Sequence, residues 1–137
     1  MRPVRALCLA LALSPAPLAA QTAPTIDGQR TVTPDEFDAI TEGRTIGWRY
    51  PNGAVGVEYY MANRQVLWQV DRDECTAGEW FAQGDAICFV YGPDDVPGCW
   101  FVYERDGKLI VNDVDAPMVE LVEKGDAAPL VCAGPGA

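Results

Sequence analysis

An alternation of period two, broken by turn residues roughly every 8–12 positions, runs from Thr45 to Glu123 and points to a β domain. Thr45 to Tyr50 places Ile46, Trp48 and Tyr50 on one face. Pro51-Asn52-Gly53 then makes a hairpin turn. Val55 to Ala62 sets Val55, Val57, Tyr59 and Met61 on one face and Glu58 and Tyr60 on the other. After the turn at Asn63-Arg64, Gln65 to Asp71 opposes Val66, Trp68 and Val70 to Gln65, Gln69 and Asp71. Glu79 to Ala82, Ala86 to Tyr91, Cys99 to Tyr103, Lys108 to Asn112 and Met118 to Glu123 complete about eight short strands. The simplest path through them is an antiparallel meander. Such a chain curls into a small barrel or a strongly bent sheet.

Asp73 to Arg105 organises the middle of the domain. Gln83-Gly84-Asp85 is a three-residue hairpin loop. Ile87-Cys88-Phe89-Val90-Tyr91 is apolar on both faces, so it needs cover on both sides or a disulfide on one. Two prolines and two glycines make Gly92 to Gly98 a loop. Cys88 and Cys99 therefore fall on neighbouring strands.

Ahead of the strands, Thr33-Pro34-Asp35-Glu36 is a capping box with proline at the first helical position. Phe37 and Ile40 form a short apolar stripe and Gly43 a stop, so one short N-terminal helix should pack on the sheet or plug an opening. Arg2 and Arg5, the apolar run Ala6 to Leu13 and the small residues up to Ala20 read as a signal peptide over residues 1–20. Residues 21–32 then form a flexible lead-in, 33–124 the disulfide-stapled domain, and 125–137 an irregular tail anchored by Cys132. The apolar run is too short to span a bilayer, and no later segment is longer. The expected location is the periplasm or the exterior.

Cleavage after Ala20 takes away two arginines and no acid. Ten basic and twenty acidic residues become eight and twenty, and the net charge goes from −10 to −12. Such a surface repels nucleic acid and anionic lipid, and would suit a basic protein partner. Cleavage also leaves an even set of cysteines, Cys75, Cys88, Cys99 and Cys132, which allows three disulfide connectivities. Neighbouring strands favour Cys88–Cys99, which leaves Cys75–Cys132 to tie the tail to the organising stretch. There is no CxxC and no histidine, and the four cysteines do not have the spacing of a zinc module, so no metal or cofactor is expected.

Gly78, Trp80, Gly84-Asp85, Cys88, Tyr91, Cys99-Trp100 and Arg105-Asp106-Gly107, with the upstream Glu42-Gly43-Arg44-Thr45-Ile46-Gly47-Trp48 and Glu58-Tyr59-Tyr60, form a pattern. That pattern resembles a group of small exported proteobacterial proteins of unknown function. The resemblance covers most of residues 33–113. It implies export, a compact β fold and the Cys88–Cys99 pairing, and it implies no activity.

Without histidine, a Ser/His or Cys/His nucleophile is excluded. Carboxylates remain, with Asp71, Asp73 and Glu74 in one loop, Asp94 and Asp95 in a second, and Asp113 and Asp115 in a third. Acids in turns are by default solvated charge, and the chain is not expected to be an enzyme. Asn112, Asp113 and Asp115 lack the spacing of a calcium loop. The aromatic residues are more informative. Trp48, Trp68, Trp80, Trp100 and Tyr59 are the foremost candidates to line an apolar pocket inside a barrel, with Tyr50, Tyr91 and Tyr103 as further polar-tipped lining. The expected function is an exported binding or interaction module with a small apolar ligand inside the barrel or a protein on its acidic rim. The alternatives are a structural envelope protein with no small-molecule site and a carboxylate-dependent hydrolase.

Overall fold

The computed structural model describes residues 25–26, 28–71, 74–130 and 132. The expected signal peptide and the first residues of the lead-in lie outside them. The chain begins with a two-stranded hairpin, β1 (Thr25–Ile26) and β2 (Gln29–Arg30). Helix α1 (Pro34–Thr41) follows, then β3 (Thr45–Arg49), β4 (Val55–Tyr60), β5 (Gln65–Val70), β6 (Thr76–Gln83), β7 (Ala86–Val90), β8 (Gly98–Arg105), β9 (Lys108–Asp113) and β10 (Glu120–Asp126).

Strands β3 to β10 pair antiparallel in chain order, and β10 pairs back onto β3. The meander is therefore a closed eight-stranded barrel, in which the two outer strands of the meander pair with each other. Its last strand bends at a register shift between Glu123 and Gly125 as it meets β3. Among the described residues, no helix is long and apolar enough to cross a membrane.

One end of the barrel is closed by α1. The capping box forms as expected. Thr33 Oγ1 accepts from the Glu36 N–H at 3.3 Å, and Glu36 Oε2 accepts from the Thr33 N–H at 2.8 Å. The helix points Phe37, 1% exposed, into the barrel, edge-on to Tyr60, Trp80 and Phe89. Burial of a side chain that size is worth roughly 1.5–3 kcal/mol before the edge-on contacts are counted. Polar groups fasten the same end. Arg64 reaches Asp35 and Asp38 of the helix and lies over the Trp80 ring, while Arg44 bonds Glu123, Asp126 and the Ile40 carbonyl.

Thr31 and Val32, from the segment expected to lead in loosely, are buried. Strand β7 pairs with β8 only as far as Trp100, which leaves the later part of β8 open on that side. Thr31 bridges to Tyr103 there, and the Val32 N–H donates to the Val102 carbonyl at 2.6 Å. An exposed strand edge attracts a partner, and residues 31 and 32 supply it.

Both disulfides join the expected cysteines. Cys88 and Cys99 stand directly opposite each other on β7 and β8, and Cys75, just before β6, is bonded to Cys132. Each link restricts the unfolded chain and contributes about 2–4 kcal/mol.

Candidate functional site

At the end away from α1, the connections 50–54, 91–97 and 114–119 surround a mouth, and behind it lies a cavity of about 350 Å³. Phe37 is its floor. Trp48, Trp68, Phe89, Trp100, Val102, Val111 and Leu121 form apolar wall, and Asp95 and Val96 of the 91–97 connection stand at the rim. The Cys88–Cys99 bond holds the two strands that carry this connection. Eight-stranded barrels either fill their interior with side chains or hold one small ligand. This barrel does both, packed near the helix and hollow near the mouth.

The polar side of the cavity is built on β4. Its inward row is Gly56, Glu58 and Tyr60, all buried, and its outward row is Val55, Val57 and Tyr59. The more apolar row thus faces out, opposite to what hydropathy favours. Two neighbours explain the reversal. Trp68 on β5 lies flat against Gly56, where any β-carbon would collide with its indole ring. Glu58 meets two phenols. Tyr60 donates to Glu58 Oε2 at 2.8 Å, and Tyr91 donates to Glu58 Oε1 at 2.7 Å. Trp48 Nε1 donates in turn to the Tyr60 hydroxyl at 3.1 Å. Tyr91 needs a small neighbour too, since its ring packs against Gly78 of β6.

Glu58 is 4% exposed. Burial raises its carboxyl from 4.5 to about 7, against the two phenol hydrogen bonds, which favour the charged form. The phenols respond to the same surroundings. Burial first, then the Glu58 charge, pushes Tyr60 and Tyr91 well above their ordinary range and Tyr50 upward as well. Among the described residues, none lining the cavity carries a positive charge.

Of the five foremost aromatic candidates, Trp48, Trp68 and Trp100 line the cavity and two do not. Trp80 points inward but is spent in the packed half, between Phe37 and the Arg64 guanidinium. Tyr59 lies on the outward row of β4, beside the exterior groove formed by Val55, Val57, Gln69 and Asp71. Tyr50 and Tyr91 also line the cavity, whereas the Tyr103 hydroxyl donates to Glu120, and the sequence reading missed Glu58, Tyr60 and Phe89 as cavity residues. The available signal was Gly56, an isolated glycine inside a strand, which marks a close approach.

Of the acids considered for catalysis, Asp95 stands at the cavity rim, Asp73 lies outside the described residues, and the others do not line the cavity. Asp71 follows β5 and Asp94 lies in the 91–97 connection. Asp113 Oδ1 accepts from the backbone of Asp115 and Ala116, which shapes a turn. Among the described residues, no group of three or more His, Cys, Asp or Glu side chains is arranged to hold a metal ion. No protein-family model, curated protein or solved structure matches the chain.

Proposed function

We propose that this protein is a binding module that holds one small, mainly apolar molecule inside the barrel. The observation that carries this reading is the hollow half of the barrel, about 350 Å³ of aromatic-walled space with a single buried polar corner. Ligand sites have that composition, a mostly apolar lining with a few placed polar groups. A protein serving only as a scaffold has no use for an unfilled interior, because voids cost stability. The hydrolase alternative draws no support from Asp71 and Asp94, which sit in different connections, or from Asp113, which ends β9 and shapes a turn. Two disulfides accord with an oxidising compartment, and with the N-terminal apolar segment we place the protein in the periplasm or outside the cell.

Three of the four tryptophans line the cavity, so their emission should report occupancy. Titration with a panel of small periplasmic metabolites should give at least one saturable emission change together with a raised melting temperature. A panel that alters neither would remove the binding reading in favour of a structural role.

A further inference from the structure

The chemistry of the cavity wall narrows the ligand class, on the premise that the cavity binds a ligand at all. Glu58 is buried against phenols alone, and each of its oxygens accepts one hydrogen bond where it has capacity for about two. Among the described residues, no cation lines the cavity. Arg44, Arg64 and Arg105 are engaged with Glu123, Asp126, Asp35, Asp38 and Glu120. A buried carboxylate without a counter-charge is unfavourable, and a positively charged guest would relieve it. The walls suit the same guest, because indole and phenol faces attract cations in a desolvated site. Asp95 at the rim and the strongly acidic chain favour the approach of a cation and oppose that of an anion.

We propose that the cavity selects a small organic cation with an apolar body, its ammonium group against Glu58 and its body among Trp48, Trp68 and Trp100. The groups facing that carboxylate are Tyr60 from β4, Tyr91 beyond β7 and Tyr50 beyond β3, none of them basic. The same corner would hold a neutral hydroxyl or carbonyl less well, because neither supplies the missing charge.

Three matched probes test this on the oxidised protein: 2-phenylethylamine, 2-phenylethanol and phenylacetate, followed by tryptophan emission at pH 8. The amine should bind at least about tenfold more tightly than the alcohol, and phenylacetate more weakly than either. Below pH 7 the amine should lose affinity by up to about tenfold per pH unit as Glu58 takes up a proton, while the alcohol changes little. Glu58→Gln should abolish the preference for the amine and leave the alcohol bound. If that variant fails to fold, the pH series on the unaltered protein decides. An alcohol that binds as tightly as the amine overturns the cation assignment and leaves the binding module standing. If neither binds, the assignment falls, and a silent metabolite panel would then take the binding module with it.

Discussion

The two ends of the barrel use glutamate in opposite ways. At the closed end, Glu36 is held by Arg30 and by the backbone and hydroxyl of Thr33, which pull its carboxyl down to about 2. Glu123, also at that end, bonds Arg44 through one oxygen and the Leu109 N–H through the other. Near the mouth, Glu58 has only phenols for company and burial lifts it to about 7. A carboxylate that is matched serves the fold. One that is buried and unmatched burdens the fold and is retained for another task, and perturbed acids gather at functional sites for that reason. The apolar contacts divide likewise. Phe37 touches three rings at the closed end, whereas Trp48, Trp68 and Trp100 each leave a surface facing the cavity.

Phe37→Ala attacks the closed end and should do the most damage, about 3–5 kcal/mol in urea unfolding of the oxidised protein. A loss under about 1 kcal/mol would mean that the helix is not a structural plug.

Glu58 gives the next largest effect, and it depends on pH. Its folded value, about 7, lies above the ordinary 4.5. The folded state therefore keeps a proton that the unfolded chain releases between those values. The favourable contribution is full below pH 4.5 and drains away as the pH climbs through about 7, a difference of about 3 kcal/mol. Glu58→Gln should match the parent near pH 4.5 and be more stable at pH 8. Parallel stability curves for the two proteins would place no burden on Glu58.

Gly56→Ala should cost about 1–3 kcal/mol and push the Trp68 indole into the cavity. Its readouts are a shifted emission maximum and weakened probe binding. An unchanged spectrum would mean that the wall yields elsewhere. The smallest effect belongs to Arg30→Ala, since the Arg30–Glu36 pair is exposed and solvent screens it. The unfolding midpoint should stay within experimental error. A clear drop would show that the closed end relies on this pair.

The strands and the plug were legible in the sequence because each rests on local rules. Alternation over Ile46, Trp48 and Tyr50, and over Val66 and Trp68, placed the correct rows inside. The Thr33–Glu36 box located the helix start. Strand β4 was misread because hydropathy assumes a filled interior. In a hollow region the inward row must leave room and supply polarity, so Gly56, Glu58 and Tyr60 face in while Val55, Val57 and Tyr59 face out. Local rules fail most where a site interrupts packing. Ring closure was open between barrel and bent sheet, since the pairing of β10 with β3 joins segments far apart in the chain. Trp80 gave no hint that it would stack beneath Arg64 rather than line the cavity, because that contact depends on where the helix lands.

The most direct test of the account is the carbon-13 resonance of the Glu58 side-chain carboxyl, followed against pH with and without saturating 2-phenylethylamine. The free protein should titrate near 7. The amine should lower that value by about one unit or more, because the bound cation stabilises the charged form. A midpoint near 4.5 in the free protein, or one that the amine leaves in place, would contradict the claim that an unmatched acid waits in the open half of the barrel.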